Sequence, residues 1–174
     1  MNEPSMRSAA ITLCIAALAM PVPVTAAAPR MGIASFDELS QPLPIPYDEA
    51  ANASSVVAAA QRRARRTGKL LIIDLGGNWC LDCRILAGTI ATEPLRSWLA
   101  RHFEIVTVDI GRLDRNLAIP RKFGVTGRLE GVPALLVVEP VRSKLLNPGK
   151  ITALADARAM TPQGLADWFG QWRR

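Results

Sequence analysis

Cys80 and Cys83 stand three residues apart in Trp79-Cys80-Leu81-Asp82-Cys83, shortly after the apolar run Leu70-Leu71-Ile72-Ile73. Two cysteines at this spacing, opening a helix, can close a small disulfide and reopen it. The first helical turn aims unpaired N–H groups and a partial positive charge at Cys80. That favours thiolate over thiol, and the thiolate is the attacking species. The loop Gly76-Gly77-Asn78 is expected to leave Cys80 near the surface, so the pair reads as a working dithiol. Other chemistry uses the same spacing. Structural zinc needs four ligands, and outside the apolar leader only Cys80, Cys83 and His102 are on offer. Covalent haem needs His directly after the second cysteine, where this chain has Arg84. Cu(I) prefers soft thiolates, so a copper-binding or metalloprotein-assembly chaperone using the same pair stays open as the alternative. No metal ligand set is assigned, and no cofactor is expected beyond a redox-active Cys80–Cys83 disulfide.

The residues before this site bear on where it works. Ala9 to Met20 is apolar but short for a bilayer span, Pro21-Val22-Pro23 breaks it, and Val24-Thr25-Ala26 offers small residues for cleavage. Residues 1–26 therefore read as a signal peptide, with Met6-Arg7 a more ordinary start than Met1 and Cys14 a passenger inside it. An uncleaved membrane anchor facing the periplasm is the alternative. Either way the folded part is expected in the periplasm, where dithiols are oxidised unless kept reduced. Removing 26 of the 174 residues leaves 148 and a net charge still near +6, which suits one domain with a proper core. The basic cluster Arg62-Arg63-Ala64-Arg65-Arg66 closes a helix, whose C-terminus cations complement. No aromatic residues interleave the arginines, so nucleic acid is not an expected partner.

The elements that must hold the dithiol follow from periodicity. Residues 27–47 are an extended, Pro-rich lead-in and residues 48–174 the folded domain. Asp48 is expected to cap a helix reaching Arg66, with Ala53, Val56, Val57, Ala60 and Ala64 on one face. Gly68 ends it, and 69–75 is a strand leading to the cysteine helix, which Glu93-Pro94 interrupts. A second strand is expected over 104–110, a short helix broken by Pro120, a third strand over 134–138 and a short fourth over 142–146. Thr161 and Pro162 open a last helix whose Leu165, Trp168, Phe169 and Trp172 recur at helical spacing. This order predicts an α/β domain with a mixed central sheet.

Over about 48–172 the chain resembles thioredoxin-like proteins. The resemblance rests on Trp79-Cys80-Leu81-Asp82-Cys83, on Asp74 six residues before Cys80, and on Val132-Pro133 opening a strand. It implies a three-layer α/β/α fold. It also implies that Cys80 attacks a substrate disulfide, that Cys83 resolves the mixed disulfide, and that Asp74 is a buried base for the second step. Pro133 would be cis and would set the Val132 backbone beside the cysteines for an extended substrate, with Trp79 flanking it.

Departures from the family pattern modify this expectation. Asp82 places a negative charge beside both sulfurs, which should raise the thiol pKa values and favour a reducing or relay role. A Trp-Cys motif without Gly-Pro between the cysteines is similar to the C-terminal domain of membrane thiol-reductant transporters. Gly76 replaces an aromatic residue common in thioredoxins, which predicts a wider groove. Arg128-Leu129-Glu130 and 151–160 look like additions near the site. The expected function is a monomeric thiol–disulfide oxidoreductase of the bacterial cell envelope. It would take electrons from a membrane reductant and reduce protein disulfides.

Overall fold

The computed structural model describes residues 27–172. The expected leader over 1–26, with Cys14 and the choice of start, lies outside them. Strand β1 (Leu70–Gly76) is buried along its whole length, as its unbroken apolar run requires of a strand covered on both faces. Strand β2 (Phe103–Asp109) pairs with it in parallel and β3 (Ala134–Glu139) antiparallel on its other side. The two-residue β4 (Lys144–Leu145) completes a mixed sheet in the order β2-β1-β3-β4. It is shorter than the expected 142–146 because Ser143 turns the chain at φ 56°.

Alternation along β1 divides the core into two layers. Leu71, Ile73 and Leu75 pack with Val57, Ala60 and Ala64 of α1 (Ala53–Thr67) and with Ile119 of α4 (Ala118–Lys122). Leu70 and Ile72 pack on the other face, against α2 (Leu81–Ile90), α3 (Leu95–His102) and α5 (Pro162–Gly170), which supply Leu86, Leu95, Leu99, Leu165 and Phe169. The result is a three-layer α/β/α fold around a mixed sheet.

Two helix signals act differently from the sequence reading. Asn52, not Asp48, caps α1: its Oδ1 accepts the Ser55 N–H at 2.9 Å, while Asp48 closes the preceding turn by accepting from Ala50. Pro120 sits within the first turn of α4 rather than breaking it, where a helix has no partner for the missing N–H. Thr161 caps α5 as its sequence suggests, accepting the Gly164 N–H at 3.0 Å.

The segment ahead of α1 is tied down along its length. It holds a 3-10 turn, Phe36–Glu38, closed by a capping box between Ser35 and Glu38. The Arg84 guanidinium donates to the carbonyls of Leu43 (2.9 Å) and Pro44 (3.2 Å), and the Thr107 hydroxyl to that of Pro46 (2.8 Å). The Asn78 side chain bonds both backbone groups of Tyr47, at 3.1 and 2.8 Å. These contacts deliver the Tyr47 ring into the core, 2% exposed.

Candidate functional site

Cys80 is the N-cap of α2, and its sulfur accepts the Cys83 N–H at 3.2 Å. The strand-to-helix junction thus puts a sulfur where Ser or Asp usually satisfies an orphan donor. Both cysteines are free thiols. Cys83 is fully buried and Cys80 is 5% exposed, more covered than the Gly-Gly-Asn loop suggests. Trp79 and Leu81 are exposed on either side. The Trp79 indole is fixed by its N–H to the Gly111 carbonyl (2.8 Å), with the Arg112 guanidinium 4.8 Å above the ring. Cys80 lines a groove of about 600 Å³ together with Trp79, Glu130, Val132 and Asp156. The Val132–Pro133 peptide is cis, and the Val132 carbonyl accepts from the Cys80 thiol at 3.5 Å.

The two sulfurs differ electrostatically. A hydrogen bond from the Cys83 side chain pulls the Cys80 thiol below its ordinary pKa; burial opposes this and the helix N–H groups add to it. Cys83 is pushed up, first by holding its proton toward Cys80, then by burial and the charge of Asp74. Cys80 is therefore the more readily ionised sulfur, and Cys83 is the one that keeps its proton.

Asp82 does not act as the bare charge expected from the sequence. Burial would raise its pKa, but Arg158 overrides burial and holds the carboxyl below the ordinary range. The guanidinium spans both carboxylate oxygens (Nη2 to Oδ2 2.5 Å, Nε to Oδ1 3.0 Å) and the Arg158 N–H adds a third bond at 2.9 Å. Arg158 lies in the 3-10 turn Ala157–Ala159, so the segment 151–160 supplies the cation that offsets Asp82 between the cysteines. The expected rise in the thiol pKa is overturned for Cys80, because Asp82 is only a minor opposing influence there.

Asp74 lies behind the dithiol, 2% exposed. Burial pushes its carboxyl up to about 7; the hydrogen bond from Tyr47 works against this and the charge of Cys80 with it. The Tyr47 hydroxyl donates to Asp74 Oδ1 at 3.0 Å, and burial followed by the charge of Asp74 keeps the phenol protonated. Gly76 is what admits the ring. A Cβ built there would collide with the Tyr47 hydroxyl and lie 2.8 Å from the Cys83 sulfur. The space left by Gly76 is thus filled by an aromatic from the lead-in, and the expected widening of the groove does not occur at this point.

The structure brings Trp79, Cys80, Cys83, Val132 and Pro133 to one edge of the fold, with Asp74 directly beneath. His102 is apart from them, its ring 4.6 Å from Trp98 at the end of α3. Among the described residues no group of three or more His, Cys, Asp or Glu could hold a metal ion. Sequence reasoning missed Tyr47 and Arg158. The signals available were the chain's single tyrosine and a glycine standing where an aromatic was anticipated.

The chain is similar to several known proteins. Residues 52–140 match a family model described as thioredoxin-like. The crystal structure of a disulphide isomerase from Xylella fastidiosa Temecula1 is 37% identical, covers 74% of this chain and 97% of its own, and superposes with a TM-score of 0.67. The oxidised C-terminal domain of Neisseria meningitidis DsbD is 20% identical over 71% of this chain and 97% of its own, with a TM-score of 0.48. No curated protein matches. Fold, motif and family model agree over the segment that carries the dithiol, and the chain belongs to the thioredoxin-like family.

Proposed function

We propose that this chain is a thiol–disulfide oxidoreductase of the bacterial cell envelope that reduces, or relays electrons to, protein disulfides. The observation that carries the reading is the asymmetry of the pair: Cys80 is stabilised as thiolate at a groove, and Cys83 is protonated beneath it. Cys80 attacks one sulfur of a substrate disulfide and forms a mixed disulfide. Cys83 then attacks Cys80, and the substrate leaves reduced while the Cys80–Cys83 disulfide forms. The Val132 backbone beside cis-Pro133 and the exposed Trp79 ring offer an extended substrate its contacts. With Asp82 neutralised, the reducing direction rests on Asp74. A buried carboxyl raised to about 7 is a base matched to neutral pH, and it serves the step that releases reduced substrate. The related disulphide isomerase supports exchange with protein disulfides. The envelope location rests on the leader-like residues 1–26, and oxidised surroundings imply a membrane reductant as electron donor. Among the described residues no helix is long and apolar enough to cross a membrane.

The test is a pair of variants and a potential. Cys80→Ser abolishes disulfide reduction, and Cys83→Ser traps a mixed disulfide. The Cys80–Cys83 midpoint potential, read by Trp79 fluorescence, is expected near or below roughly −230 mV, whereas a value near roughly −120 mV marks an oxidant. Stoichiometric Cu(I) binding with no disulfide exchange would replace this reading by the metal-chaperone alternative.

A further inference from the structure

Three observations meet at the Tyr47 hydroxyl. It donates to Asp74 Oδ1 at 3.0 Å. It also flanks, with the Cys83 sulfur, the space over Gly76: a Cβ there would lie 2.3 Å from the hydroxyl and 2.8 Å from the sulfur. Among the described residues it is the one hydrogen-bond partner of the Asp74 carboxyl. No hydrogen bond joins Asp74 to Cys83 directly among those residues. The placement is built rather than incidental: Asn78, next to the motif, clamps the Tyr47 backbone on both sides, and Gly76 leaves the volume that the phenol fills.

We propose that Tyr47 is the proton relay between the resolving cysteine and its base, a role that rests on the dithiol reading above. In the resolving step the Cys83 sulfur attacks Cys80 Sγ, forming the Cys80–Cys83 disulfide and breaking the bond to the substrate sulfur. The Cys83 proton passes to the Tyr47 oxygen as the Tyr47 proton passes to Asp74. The carboxylate ends as carboxylic acid, the phenol is unchanged, and the substrate leaves as a thiolate. The dithiol is oxidised by two electrons and the substrate disulfide reduced by the same two. The ionisable groups facing Cys83 are Tyr47 from the lead-in, Asp74 from β1 and Cys80 from the start of α2. The phenol, kept protonated by burial and by the charge of Asp74, can hand a proton on only as it receives one. The lead-in thereby becomes part of the active site.

Tyr47→Phe keeps the ring in place and removes one oxygen. The reduced full-length chain is mixed with 5,5′-dithiobis(2-nitrobenzoate), which releases one coloured thiolate when Cys80 attacks and a second when Cys83 resolves. Tyr47→Phe is expected to slow the second release roughly tenfold or more between pH 6 and 7.5, to leave the first release at its normal rate, and to narrow the gap as pH rises. Asp74→Asn slows the same step, and the double variant is no slower than the worse single one, because the two act as one unit. Thermal unfolding of Tyr47→Phe checks that the fold is kept. A second release with normal rate and pH profile overturns the relay, and so does an equal slowing of both steps. If even the unaltered chain gives no first release, the dithiol reading fails and the relay with it.

Discussion

Asp82 and Asp74 are both nearly inaccessible, 6% and 2% exposed, and each stands beside one sulfur of the same pair, yet their charges are handled in opposite ways. Asp82 receives a guanidinium across both oxygens and is held ionised. Asp74 receives only a neutral phenol and is held close to half-protonated at neutral pH. Burial is common to both, so the partner decides. A cation repays the desolvation of a carboxylate, whereas a neutral donor repays part of it. The outer carboxylate is thereby fixed in one state, as suits a wall of the groove. The inner one can change state, as suits a base.

The largest effect is expected from removing the inner titration. Asp74→Asn should slow resolution of the mixed disulfide by about a hundredfold near pH 7, while attack by Cys80 continues. It should also alter stability against pH. The Asp74 carboxyl holds its proton more tightly folded than unfolded, so its contribution is full below pH 3.8 and is lost as pH rises through about 7. The gap between those values corresponds to on the order of 4 kcal/mol. Urea unfolding of the reduced chain at pH 4.5 and 6.5 reads this window, because Asp82 titrates below it and the thiols at or above its upper end. The unaltered chain should be less stable at pH 6.5 and Asp74→Asn should flatten the difference. An equal slope in both would mean that the Asp74 carboxyl is not raised by its burial.

A smaller effect is expected from crowding the inner site. In Gly76→Ala the new methyl meets the Tyr47 hydroxyl and the Cys83 sulfur, and overpacking of this kind costs about 1–3 kcal/mol. The ring must move, so the Tyr47–Asp74 hydrogen bond should lengthen and the resolving step slow. Unchanged unfolding and unchanged resolution would show that Tyr47 is not seated against Gly76.

What the sequence revealed and what it hid divide along the same line. Trp79, Cys80 and Cys83 fall within one five-residue stretch, and Val132-Pro133 directly precedes a run of apolar residues, so local rules reach them. The buried centre of the sheet was legible for a similar reason: Leu70-Leu71-Ile72-Ile73 has no polar face. The partners of the two carboxylates were not legible. Arg158 is 76 positions from Asp82 and Tyr47 is 27 from Asp74. Gly76 signals a missing side chain without naming what fills the gap. The charge of Asp82 was read from its place between the cysteines, and a pairing across the fold reversed its consequence. The shift of the α1 cap from Asp48 to Asn52 is the local version of this, two short acceptors four residues apart with only backbone geometry to choose between them.

The smallest effect, and the one that makes the outer carboxylate resemble the inner one, is expected from Arg158→Met. The methionine keeps much of the apolar stem and removes the cation. Asp82 would then be buried without a charge partner, and its pKa should rise from below the ordinary range, where Arg158 holds it. The Arg158 side chain is 54% exposed, so solvent screens the pair and only a modest loss of stability is expected. While Asp82 stays ionised its unmasked charge faces Cys80, which should lift the thiol pKa by roughly half a unit to one. A less favoured thiolate means a more favoured disulfide, so the potential should fall and attack by Cys80 at pH 7 should slow. Asp82→Asn removes the charge instead and should move all three quantities the other way. Thiol titration and midpoint potentials of the two variants therefore form a matched pair. Opposite signs would show that the segment 151–160 tunes Cys80 through Asp82. Equal signs, or no change beyond the loss of stability, would reduce Arg158 to a brace.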